Sequence, residues 1–170
     1  MSERQGLVET ITDQIAPVHP DGHKFVLIGI AAMLVGFLLW SPLGWVLALL
    51  TAWVAYFFRD PDRVTPMREG LVVSAADGRV SLIEKVVPPT ELGFADNRER
   101  LRVSVFLSVF DVHINRAPVA GRIVRSLYIP GAFLNANLDK ASEENERRAL
   151  VIQMPNGEEI AVVQIAGLVA

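Results

Sequence analysis

From Phe25 to Phe58 the chain carries no Asp, Glu, Lys or Arg, and nearly every position is apolar. The block is interrupted at Ser41-Pro-Leu-Gly44, where proline removes a helix donor and glycine permits a turn. The pattern predicts two apolar helices, Phe25–Trp40 and Leu43–Phe58, of 16 residues each. At about 1.5 Å per residue each is roughly 24 Å long, short of the roughly 30 Å hydrocarbon core, so each spans only a thinned bilayer. One unbroken helix would be about 50 Å long and kinked, a poorer fit. Lys24 flanks the block on one side and Arg59, Arg63 and Arg68 on the other, while the connecting turn has no basic residue. That arrangement suits a hairpin with both ends on the cytoplasmic side, and Trp40, Trp45 and Trp53 favour an interface. A hairpin buried in a soluble core is the other reading of runs this short.

Before the block, residues 1–24 are mixed and polar, with a short amphipathic turn expected around Leu7 to Ile15. The apolar block begins too late and runs too long for a cleaved signal peptide, so it is expected to stay on the mature protein. After the block the period changes to two, over an expected β portion of residues 59–170. Strands are predicted at Leu71–Val73, Arg79–Val87, Leu101–Phe110, Arg122–Ile129, Ala149–Met154 and Glu158–Ile165. Pro155-Asn156-Gly157 joins the last pair, since Asn-Gly tolerates the positive φ of tight hairpins. Pro88–Arg100 reads as a polar loop and Asp139–Arg148 as a charged, helix-compatible connection. The expected fold is mainly β, an antiparallel sandwich or partly closed barrel preceded by the helical hairpin.

The chain has 170 residues, 51% hydrophobic, which allows a small domain plus a membrane segment. A net charge of −3 offers no basic face for nucleic acid. The absence of cysteine excludes disulfides, thiolate nucleophiles and Cys-type zinc sites. His19 and His23 lie four apart in a proline-glycine segment read as non-helical, so a metal pair there is not expected, and no metal is assigned elsewhere. Neither a P-loop nor a dinucleotide fingerprint occurs.

Chemistry concentrates in Asp111–Gly121 (D-V-H-I-N-R-A-P-V-A-G), a polar turn carrying His113 after the long apolar strand ending at Phe110. That strand is expected to deliver Asp111 and His113 rigidly to the end of a sheet. By itself a lone histidine more often caps a turn than acts as a base. Asp77-Gly78, in V-V-S-A-A-D-G-R-V (Val72–Val80), reads first as a turn former.

These two segments, with F-F-R-D-P-D-R (Phe57–Arg63), Y-I-P-G-A-F (Tyr128–Phe133) and D-K-A-S-E-E-N-E-R (Asp139–Arg147), resemble the phosphatidylserine decarboxylase family in order and spacing from about Phe57 onward. The resemblance implies a proenzyme that cuts itself at a serine and converts that residue into a pyruvoyl group. It implies that Asp77 and His113 belong to an Asp-His-Ser arrangement, with His113 taking the serine proton and later returning a proton to the decarboxylated substrate. The pyruvoyl group withdraws electrons as the substrate carboxylate leaves as CO₂, much as pyridoxal phosphate would. Asn115 and Arg116 become candidates for substrate binding, since a guanidinium holds a phosphodiester or a carboxylate with a fork of donors. A surface salt bridge is the other reading of Arg116. Asn145, Glu146 and Arg147 are expected to shape a loop beside the site, or else to form a solvated helix face.

Two positions and one missing motif depart from the family pattern. Arg116 stands where many relatives carry the second histidine of H-x-x-H, so either His113 performs both tasks, the favoured reading, or this subgroup uses another base. Ala75 replaces a frequent proline. No Gly-Ser dipeptide, the family's processing site, occurs among the 170 residues. The expectation is therefore a large-subunit portion without the pyruvoyl-forming serine, inactive by itself, whose partners are a small pyruvoyl-bearing subunit and membrane phospholipid at the cytoplasmic face. A homo-oligomer is left open. The rival reading is a catalytically inactive membrane-anchored β domain that binds lipid or a partner. A biotin- or lipoate-carrier module lacks the hairpin-tip lysine it would need.

Overall fold

A computed structural model of the chain describes residues 16–66, 68, 70–134 and 144–168. The amphipathic turn expected around Leu7 to Ile15 and the connection 135–143 lie outside the described residues. Contacts divide the chain into two compact units, one of Met1–Pro66 with Phe110–Ile114 and one of Met67–Val109 with Asn115–Ala170.

The first unit is built on a helical hairpin, α1 (Pro20–Leu39) followed by α2 (Ser41–Phe57). Helix α1 begins five residues before the apolar pattern does. Pro20 suits the first helical turn, where its missing N–H has no intrahelical partner, and Asp21 faces the positive end of the dipole. His19 Nδ1 caps this start, accepting from the Asp21 N–H at 3.3 Å. His23 is therefore helical, contrary to the non-helical reading of its segment.

The break between the helices is also shorter than the pattern suggests. Trp40 alone is extended, and Ser41-Pro42-Leu43-Gly44 is the first turn of α2. Proline is tolerated there for the same reason as at Pro20. Small residues let the helices close on each other: a Cβ on Gly44 would collide with the Phe37 ring, and one on Gly29 would meet the Thr51 side chain. The Thr51 hydroxyl satisfies itself on the Leu47 carbonyl at 2.7 Å. The open end is tied by the His19 N–H to the Phe58 carbonyl at 2.8 Å and the Asp60 N–H to the Pro17 carbonyl at 2.7 Å. Leu38 is 86% exposed and Leu49 73%, the reverse of the burial a core hairpin in a soluble domain would have. By length and composition, α1 is apolar and long enough to cross a membrane.

The second unit holds five strands among its described residues, all antiparallel. β1 (Arg79–Val86) pairs with β2 (Arg100–Phe106) in one sheet. β3 (Arg122–Ile129), β4 (Arg147–Gln153) and β5 (Glu159–Ile165) form a second, in the order β3-β4-β5. The mainly β expectation with an N-terminal helical hairpin holds, but the sheets do not join into a closed barrel. The apolar core centres on β4, where Ala149, Val151 and Ile152 are buried. The β4–β5 turn follows its sequence signal: Gly157 takes φ 87°, and the Glu158 N–H donates to Asn156 Oδ1 at 3.0 Å.

The loop after β1 contains a short 3₁₀ turn, Thr90–Leu92. Arg125 fastens it to the second sheet, donating to the Leu92 carbonyl at 2.9 Å and pairing with Glu159 at 2.5 Å. Further along the loop, Arg100 and then Arg98 hold the Asp96 carboxyl down to about 2.

Several boundaries differ from the pattern. Leu71–Val73 is not a strand, and Val73 instead donates its N–H to the Pro118 carbonyl at 3.0 Å. β2 stops at Phe106, opposite Arg79, because β1 gives way there to the Asp77-Gly78 turn and a strand without a partner has no ladder. β4 begins two residues early, at Arg147, so Arg147 and Arg148 are strand rather than charged connection.

Candidate functional site

Residues 107–121, between β2 and β3, are irregular, and His113 lies seven residues beyond the end of β2. The expectation that a strand delivers His113 to the end of a sheet is therefore corrected. Side-chain and backbone contacts with the end of α2 position it instead. The His113 imidazole stacks on the Phe57 ring, with centroids 4.4 Å apart and planes inclined by 24°. Arg59 reaches the same turn, one guanidinium nitrogen donating to the Phe110 carbonyl at 2.7 Å and the other to the Tyr56 carbonyl at 2.8 Å. Its guanidinium also lies over the Tyr56 ring at 3.7 Å. Val112, between Phe110 and His113, is 5% exposed and anchors the turn from within. His113 itself is half-buried.

Asp77, Asn115 and Arg116 belong to the β unit. Asp77 is half-buried in its turn, and Gly78 is required beside it because a Cβ there would run into the Phe106 carbonyl at the end of β2. Within this unit the structure brings the Asn115–Arg116 segment against the aspartate turn: the Arg116 N–H donates to the Ala75 carbonyl at 2.9 Å. Asn115 and Arg116 are exposed. Among the described residues, no group of three or more His, Asp or Glu side chains gathers as a metal site would require.

The third segment supplies a feature with no clear signal in the sequence. Asn145 is 1% exposed, and its amide is fully engaged: Oδ1 accepts from the Leu134 N–H at 3.0 Å, and Nδ2 donates to the carbonyls of Leu134 at 2.8 Å and Ala166 at 2.7 Å. Next to it, Glu146 accepts the Ala166 N–H at its backbone carbonyl, 2.8 Å, and its carboxylate takes the Tyr128 hydroxyl bond, which pushes that phenol up. The chain leaving β5 is thus clamped to the stretch after β3. Removing the amide leaves three buried backbone groups without it, each costing about 1 kcal/mol. Asn145→Ala is expected to lower unfolding stability by about 2–3 kcal/mol in urea melts, with Asn145→Asp as damaging because a carboxylate cannot donate to two carbonyls.

Residues 50–170 match the family described as phosphatidylserine decarboxylase, a span that includes every candidate residue above. The chain belongs to the phosphatidylserine decarboxylase family. It is 61% identical over 156 residues to a phosphatidylserine decarboxylase proenzyme of Ruegeria pomeroyi, covering 92% of this chain and 71% of that protein. A proenzyme of the same name from Cereibacter sphaeroides is 58% identical over 96% of this chain and 70% of its own length. One from Nitrobacter winogradskyi is 56% identical over 99% of this chain and 68% of its own. The resemblance carried by the five short segments is thus a family relationship that extends on both sides of them.

Proposed function

We propose that this chain is the large-subunit portion of a self-cleaving decarboxylase that converts phosphatidylserine to phosphatidylethanolamine and CO₂ at the cytoplasmic face of a membrane. The observation that carries this reading is the family match across residues 50–170, which spans both the Asp77 and the His113 segments. Residues 25–58 attach the protein to the bilayer, and residues 59–170 carry the chemistry.

In this reading His113 acts as a base. A neutral serine hydroxyl is a weak nucleophile, so an imidazole must take its proton as the hydroxyl attacks the preceding carbonyl. Asp77 orients and stabilises the imidazolium so formed, in the way a triad carboxylate does. In turnover His113 holds the proton that the former α-carbon of the substrate receives once CO₂ has left. Arg116, exposed and permanently charged, holds the lipid phosphodiester or the substrate carboxylate, with Asn115 beside it.

A pyruvoyl group, when present, supplies the electron sink for loss of CO₂. In this reading the serine that forms it belongs to a further segment of the proenzyme, since these 170 residues hold no Gly-Ser dipeptide. The chain's own residues suit such a segment, because Ala166 is fastened at both its N–H and its carbonyl, so chain continuing from β5 leaves a fixed point. A small subunit bearing that group is also a fitting cover for the β1–β2 sheet, one face of which exposes Val80, Ile83, Leu101 and Val103.

The test is release of labelled CO₂ from carboxyl-labelled phosphatidylserine in detergent micelles by the protein expressed through the end of its reading frame. Cleavage into two bands with CO₂ release is the expected result. A two-band product that binds the lipid but releases no CO₂ would overturn the reading.

A further inference from the structure

We propose that the end of the helical hairpin is a positioning element of the reaction, with Phe57 as the platform that sets the His113 imidazole. This rests on the reading of His113 as the proton-moving residue. An imidazole at the end of an irregular turn has free rotation about its last side-chain bond unless a contact limits it. The stack on Phe57, at 4.4 Å and 24°, engages the ring face and leaves the edge, where both nitrogens lie, to hydrogen bonding. A face contact thus fixes the tilt of a base without competing for its proton.

The platform is itself held. Phe57 meets Trp53 at 5.6 Å and Phe58 at 5.2 Å, and Phe58 stacks on Phe25 of α1 at 5.3 Å with planes 13° apart. An aromatic row therefore runs from α1 through the end of α2 to His113. Two residues further along, Arg59 holds the backbone of the same turn at the Phe110 carbonyl. Phe57 and Arg59 thus fix the side chain and the main chain of the turn together, and both belong to the apolar hairpin or its immediate exit. The hairpin then does more than attach the protein: it orients a reacting group, and misplacement of such a group by even 1 Å can cost about a hundredfold in rate.

The experiment uses the protein expressed through the end of its reading frame, with Phe57→Leu, Phe57→Tyr and His113→Ala compared for self-cleavage rate, membrane fraction and melting temperature. Leucine keeps the apolar volume but removes the aromatic face, and tyrosine restores it. Phe57→Leu is expected to slow cleavage roughly tenfold with its membrane fraction unchanged, and Phe57→Tyr to return to within about twofold of the parent. Phe57→Met, a second flat-faceless variant, replaces leucine if that variant melts early. Cleavage of Phe57→Leu at the parental rate overturns the platform, as does equal slowing by leucine and tyrosine, or slowing that only accompanies release from the membrane. If His113→Ala matures normally, the reading of His113 fails. If His113→Ala is blocked while Phe57→Leu is normal, the platform alone fails.

Discussion

A His113→Ala protein, expressed through the end of its reading frame, is expected to persist as a single uncut band. Loss of a positioned general base costs about 10²–10⁴-fold, enough to stretch maturation beyond the life of an expression culture. Asp77→Asn should behave differently. A carboxylate that only orients and stabilises the imidazolium is worth one to two orders of magnitude less than the histidine it serves. That variant is therefore expected to cleave slowly but to completion, and the matured fraction should recover much of the parental turnover because its acid is intact. A time course on gels, followed by CO₂ release from the matured band, checks both halves. Normal maturation of His113→Ala would move the base outside the Asp111–Gly121 turn.

Deletion of residues 25–58 is expected to move the protein from the membrane pellet to the soluble fraction. The apolar side chains of α1 and α2 face outward, Leu38, Leu39 and Leu49 among the most exposed, and no other described segment is as apolar or as long. A milder form of the same test is Leu49→Arg. A charge near the middle of an inserted helix costs about 2.5–3.5 kcal/mol, so a marginal 17-residue α2 should lose much of its hold on the bilayer. Flotation on liposomes containing phosphatidylserine measures both variants. Because Phe57 lies within the deleted block, the deletion should also slow self-cleavage in detergent, where attachment is irrelevant. Unchanged pelleting of the deletion would assign the anchor elsewhere.

The sequence by itself determined whatever depends on local period and local chemistry. Alternation located all five strands found among the described residues of the β unit, Pro155-Asn156-Gly157 turned β4 into β5, and the uncharged run from Phe25 to Phe58 became a helical hairpin. Short motifs also sufficed for the family. What the sequence left open was decided by partners distant along the chain. β2 ends at Phe106 because β1 has nothing left to pair with it, although the alternation continues to Phe110. Two sheets form in place of a barrel because the ladder between β2 and β3 is never made, which no periodicity reveals.

The site follows the same rule. Asp77 and His113 stood out as residue types in suggestive turns. The stack of His113 on Phe57, 56 positions away, and the Asn145 amide spanning Leu134 and Ala166 come only from the folded chain. An aromatic ring or a buried amide has no pattern of its own in sequence. Its role is set by which surfaces and which unsatisfied backbone groups the tertiary structure brings within about 3–5 Å of it.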